Sequence, residues 1–243
     1  MAKINTKGAL SGIVGPVSYR TQFKMITVQS RPSRVRQTPA TKLSATEFGI
    51  ANKAAKNIRH ALFPILQDFS DNRMHSRFTA AVYKCLIGNT NLPKGIRTVA
   101  DGDLQQLQHF QFNNSSPYAD YAKVDAGILY NAAGGLTIHL PEFRPTDCFV
   151  KPQDATDCTL TFMVTAFDPE TGGAVYAELH RHPVKLNNIS VPASQWTAPA
   201  LPPDHLVIVA AAAFYSRNNS LLGEISLNSK MLHPAVLLVA FKS

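Results

Sequence analysis

Ten consecutive residues, Leu206 to Tyr215, carry no charge, and the run Ala235 to Phe241 repeats the pattern near the C-terminus. Neither approaches the roughly 20 apolar residues that a membrane helix needs, and both have the length of a strand. A chain with such segments must bury them inside a folded body. Its 243 residues, 45% of them apolar, suffice for one large or two modest domains with a real core. Ser216-Arg-Asn-Asn-Ser220 reads as a turn after the first run. Leu221, Gly223, Ile225 and Leu227 then alternate as a returning strand, and Val236 to Phe241 closes the chain as another buried strand.

Period-two patterning begins near Gly102 and is clearest from Thr159 to Phe167, where Leu160, Phe162, Val164 and Ala166 alternate mostly with threonines. Asp168-Pro-Glu-Thr-Gly-Gly173 predicts a hairpin turn into Ala174–Leu179, and the Pro-rich stretch Val191–Pro203 a connector that crosses between sheets. Residues 101–243 are therefore expected to form an antiparallel β sandwich. Residues 44–100 read as a helical segment. Ser44-Ala-Thr-Glu47 fits a capping box, after which Phe48, Ala51, Ala55, Ile58 and Leu62 recur on one face until Pro64 interrupts. A second helix is predicted over Asp71–Ile87, with Met74, Phe78, Ala81, Val82 and Cys85 inward and Arg59, Arg73, Arg77 and Lys84 on the solvated side.

The first 43 residues differ from everything after them. Residues 1–46 hold eight of the 24 Lys and Arg and no carboxylate before Glu47, which leaves 16 bases against all 16 acids in the remainder. The net charge of +8 thus belongs to a basic arm on a neutral body. Between the glycines and prolines of this arm, Ile13–Tyr19 and Phe23–Ser30 are β-prone and predict a hairpin turning at Arg20, Thr21 and Gln22, with Pro16 confining the first piece to an edge or bulge. An isolated hairpin is marginal in water, so it needs a surface to lie against. Ile13, Val14, Val17, Tyr19, Phe23, Met25, Ile26 and Val28 are the expected assembly residues. Arg20, Lys24, Arg31, Arg34, Arg36 and Lys42 are expected to meet an acidic partner or a polyanion.

No residue pattern points to catalysis. Gly8, Gly12 and Gly15 lack the Gly-Lys-Ser/Thr of a phosphate loop. His180 and His182 share a face if extended, but spacing identifies no third metal ligand, and the Asp168 and Glu170 pair is explained by its turn. Cys85, Cys148 and Cys158 have no zinc spacing; they are expected as free thiols, with a Cys148–Cys158 bridge as the alternative in an oxidising compartment. No Gly-x-Ser-x-Gly elbow occurs, and a hydrolase would require a triad assembled only in space. Neither a cofactor nor a metal is expected.

The segment Gly8-Ala-Leu-Ser-Gly-Ile-Val-Gly-Pro-Val17, the β-like piece ending in Ser30-Arg-Pro32, the basic link and the amphipathic helices together resemble an uncharacterised family found in Bacteroidota genomes. The likeness covers about the first 85 residues, and the β part only in outline. It departs after the basic link, where the family's Gln-x-x-x-Arg element is replaced by Gln37 followed by Pro39 and Thr41. The resemblance implies the order of arm, helices and β-rich domain and a bacterial or phage-related origin, and it transfers no catalytic residues.

The expectation is an α+β protein: an extended basic N-terminal arm or hairpin, a helical segment and an antiparallel β sandwich. Its role would be structural self-assembly into a filament or a virion- or tail-like particle, the arm adding as a strand to a neighbour's sheet. Nucleic-acid binding through the basic arm is the alternative, because interleaved bases neutralise phosphates; a hydrolase is the third. The start Met-Ala-Lys-Ile-Asn-Thr-Lys-Gly lacks a secretory h-region, which predicts synthesis in the cytoplasm and leaves an extracellular or virion destination open.

Overall fold

The computed structural model describes residues 2–4, 8–22, 25–30, 37–131, 135–152 and 154–243. It is α+β, mostly β, with antiparallel sheets, and divides into two compact units, Met1–Lys42 and Leu43–Ser243.

The N-terminal unit is a four-stranded sheet in the order β1 (Lys3–Ile4), β2 (Leu10–Val14), β3 (Val17–Gln22), β4 (Met25–Ser30). The predicted hairpin is present in part: Val17–Tyr19 pair with Val28–Ser30, but the ladder runs on to Gln22 and Met25, so Arg20–Gln22 lie inside β3. Val14 also pairs with Val17, and Gly15 and Pro16 connect β2 to β3. Gly15 takes φ +54° while the pyrrolidine ring holds Pro16 at negative φ, the combination that a two-residue hairpin of the right twist requires. Pro16 therefore makes the turn and does not mark an edge.

Helix α1 (Pro39–Ala61) begins earlier than the Ser44 motif predicts. Thr38 is its cap: Thr38 Oγ1 accepts the Thr41 N–H at 3.2 Å, and Pro39 occupies the first helical position, where no N–H is needed. Ser44 lies inside the helix, and Glu47 is fully buried with a different task, Oε1 accepting the Gly95 N–H at 3.0 Å beside Arg97. α2 (Phe63–Leu66) restarts the helix around Pro64, and α3 (Met74–Gly88) follows. Ala51, Ala55, Ile58, Leu62, Met74, Phe78, Val82 and Cys85 are buried as their spacing implies, whereas Phe48 is half exposed and meets the Tyr83 ring edge-on. Arg77 is not simply solvated. It pairs with Asp71, donates to the Gln111 carbonyl at 3.0 Å and lies over the Phe110 ring.

The remaining strands are β5 (Phe110–Gln111), β6 (Gly127–Tyr130), β7 (Leu136–Leu140), β8 (Asp157–Phe167), β9 (Ala174–Lys185), β10 (Ser194–Ala198), β11 (Leu206–Asn219), β12 (Gly223–Ser226) and β13 (Ala235–Lys242). They form a large sheet in the order β5-β13-β11-β8-β9, with β12 continuing along β11, and a small one in the order β10-β7-β6. The uncharged run lies in the interior strand β11, between β13 and β8. Leu206, Ile208, Ala210 and Ala212 share a core with the helices, while Val207, Val209, Ala211, Ala213 and Tyr215 share one with Leu136, Ile138 and Leu140 of the small sheet. A strand covered on both faces needs no polar alternation, and that is why β11 reads as a continuous apolar run.

Helices pack on one face of the large sheet, and residues 44–100 lie in the same compact unit as the large and the small sheet. The connector Val191–Pro203 carries β10, so it does link the large sheet to the small one. The predicted turn at Ser216–Ser220 is corrected: β11 continues to Asn219 because Ser216–Asn219 pair with Ser226–Gly223, and the chain reverses at residues 220–222.

Candidate assembly surface

The register of the N-terminal sheet sorts its residues into two unlike faces. Opposed residues in an antiparallel pair share a face, and alternate residues along a strand change face. From the pairs Ile4↔Leu10, Val14↔Val17, Gly12↔Tyr19, Tyr19↔Val28 and Thr21↔Ile26, one face gathers Ile4, Leu10, Val14, Val17, Tyr19, Ile26 and Val28 around Gly12 and Thr21. The other carries Lys3, Ser11, Ser18, Arg20, Thr27 and Gln29, with Ile13 and Met25. This is the pattern of a sheet built to be covered on one side.

No residue from 2 to 30 whose burial is described is buried. On the apolar face Ile4 is 72% exposed and Val28 55%, while Leu10, Val17 and Tyr19 are half-buried. Such a contiguous apolar face is of the kind found at contacts between chains. The two edges also differ. Among the described residues β4 is an outer strand of six residues, all exposed, with no proline, charge or bulge; β1, at the opposite side, is two residues long and includes Lys3. β4 thus lacks the usual features that deter strand addition.

Of the residues expected to assemble, Val14, Val17, Tyr19, Ile26 and Val28 come together on the apolar face, and Ile13 and Met25 fall on the polar one. Phe23, Lys24, Arg31, Arg34 and Arg36 lie outside the described residues. Arg20 is exposed on the polar face, and Lys42 is in the first turns of α1. Ile4 and Leu10 were missed. Recognising Gly15-Pro16 as the hairpin turn would have fixed the alternation Leu10, Gly12, Val14 and revealed Leu10.

The other groups raised by the sequence are held locally. His180 stacks on Trp196, ring centroids 5.1 Å apart and planes 7° from parallel. His182 Nδ1 lies 3.5 Å from Ser194 Oγ at a polar cleft of about 710 Å³ lined also by Asp157, Asn188 and Glu224. Among the described residues its Nε2 has no hydrogen-bond partner, so no carboxylate there orients the imidazole as a triad would require. Burial pushes both histidines below the usual imidazole range. Among the described residues no group of three or more His, Cys, Asp or Glu is placed to hold a metal ion. Asp168 Oδ1 accepts the Thr171 and Glu170 N–H groups at 2.8 Å each; these bonds hold its carboxyl below the ordinary range and make it a turn residue. All three cysteines are free thiols, and burial, with Asp103 adding to it, pushes Cys85 up to about 12.

No helix among the described residues is long and apolar enough to cross a membrane. No protein-family model matches the chain, and no curated protein matches it.

Proposed function

We propose that this protein is a structural subunit that assembles with copies of itself through its N-terminal sheet, into a filament or a virion- or tail-like particle. The observation that carries the reading is the segregation of that sheet into an exposed apolar face and a cationic polar face. Burying Ile4, Val14, Ile26 and Val28 would remove apolar surface from water at roughly 25 cal/mol per Å². The strands already pair with one another, so the element offered to a neighbour is a preformed ribbon with an open edge, and little ordering entropy opposes its docking. The separate core of Leu43–Ser243 gives the particle its rigid body.

Removing residues 1–37, which keeps the Thr38 cap, tests this directly. Sedimentation velocity should resolve large species for the full chain and monomers or small oligomers for the shortened one, with cooperative thermal unfolding retained by the body. Equal mass distributions for the two under matched conditions would overturn the proposal.

A further inference from the structure

The acceptor for the open edge is identifiable from the edge itself. We infer that β4 pairs with β4 of a second copy, antiparallel about a two-fold axis through Thr27, joining two N-terminal sheets into one of eight strands; this rests on the assembly reading above.

Antiparallel pairing about a two-fold opposes residues whose numbers have a fixed sum, and continuity of the apolar face requires that sum to be even. With Thr27 on the axis, Ile26 of each copy faces Val28 of the other on the apolar side, and Met25 faces Gln29 on the polar side. Both β-branched pairs are of the kind that stabilises a ladder. A second register, with Val28 on the axis, would oppose Val28 to itself and each Ile26 to Ser30, leaving one apolar pair where the first has two. Within β4 there is no charge, so no like charges oppose each other along the new ladder itself, and the basic residues around it oppose the contact only at longer range.

Head-to-tail addition is the weaker alternative. It would pair six-residue β4 with two-residue β1, leaving most of the longer strand's outer groups unsatisfied, and would bring Lys3 to the seam. A self-complementary edge instead makes an isologous contact, which closes at two copies. The apolar faces of the joined sheets then lie on the same side as one continuous surface. That surface supplies a second, distinct contact, and two distinct contacts per subunit are what an extended particle requires.

The test uses the full-length protein with charges placed on the axis. Thr27→Lys alone and Thr27→Asp alone each put like charges opposite each other and should lose the two-fold contact, seen as a smaller species by sedimentation velocity. Mixing the two variants one to one should restore it. A cysteine scan of β4 in a Cys148→Ser background fixes the register: under mild oxidation Thr27→Cys should yield more disulfide-linked dimer than Val28→Cys or Gln29→Cys. Failure of the mixture to recover, or a maximum at Val28→Cys, overturns the pairing. If removal of residues 1–37 still disperses the particles in that event, assembly survives and only the two-fold edge contact falls. Unchanged particles after that removal would instead sink the assembly reading.

Discussion

At the residue scale the most consequential group outside the assembly surface is His233, which is 1% exposed. Its Nε2–H donates to the Ile65 carbonyl at 2.8 Å, and Nδ1 accepts from Asn228 Nδ2 at 2.8 Å, an arrangement that only the neutral ring can satisfy. Burial pushes it from 6.5 to about 4, against a smaller upward pull from the Ile65 carbonyl. Because the folded protein binds the proton more weakly than the unfolded chain, this contribution is fully present above pH 6.5 and is lost as pH falls towards 4. The loss amounts to about 3 kcal/mol. Urea unfolding at pH 7, 5.5 and 4.5 should show it, and His233→Gln should be destabilised at neutral pH but flatter across this interval. A parallel profile for the two proteins would refute the assignment. Glu47 is the other demanding residue. Replacing it by Ala leaves Arg97 beside an apolar void and should cost about 3 kcal/mol, while Gln, which keeps an acceptor for Gly95, should cost less. Neither residue was legible in the sequence: His233 stands alone, and Glu47 occupied a convincing capping box whose helix actually begins five residues before its serine.

At the element scale, the sequence signals worked where one physical cause dominated. The buried stripes of α1 and α3 follow from apolar spacing because packing fixes which side of each helix faces inward, and β11 and β13 read as continuous apolar runs because they are covered on both faces, as β8 also is despite its threonines. They failed where turn chemistry competed with polarity. Arg20-Thr-Gln and Ser216-Arg-Asn-Asn look like turns because they are polar, yet both are paired strand, since a ladder uses backbone groups and tolerates polar side chains on an outer face. The correction in the N-terminal sheet changes what its residues do. Ile13 and Val28 look equivalent in sequence, but the register sets them on opposite faces. Val28→Asp places a carboxylate in the apolar face and should reduce the assembled fraction by roughly tenfold or more, the effect expected for a buried unpaired charge. Ile13→Asp adds an acid to a basic face and should leave assembly near the unaltered level. Light scattering on both variants at one concentration decides between them, and equal losses would show that the faces are not distinguished.

At the scale of the whole molecule, the charge asymmetry separates assembly from polyanion binding. Eight bases and no acid within the first 46 residues mean that copies brought together by the N-terminal unit also bring like charges together. In the proposed assembly, apolar burial would drive that association while electrostatics would oppose it. The opposing part is screened by salt, since the Debye length shrinks from about 30 Å at 0.01 M to about 8 Å at 0.15 M. Self-assembly should therefore strengthen as salt rises from about 10 to 300 mM, an interval chosen to span that change. A nucleic-acid function predicts the reverse, because each phosphate neutralised releases a counterion and affinity falls steeply with added salt. Sedimentation of nuclease-treated protein across a salt series, followed by the same series with generic duplex DNA, distinguishes them. The expected outcome is growth of particles with salt in the first series and only weak, salt-sensitive DNA binding in the second. Submicromolar DNA binding near 150 mM salt, abolished by changing Arg31, Arg34 and Arg36 to Ala and accompanied by particles that dissolve on adding salt, would reverse the ranking. The N-terminal unit would then be a polyanion-binding element whose apolar face serves some other contact.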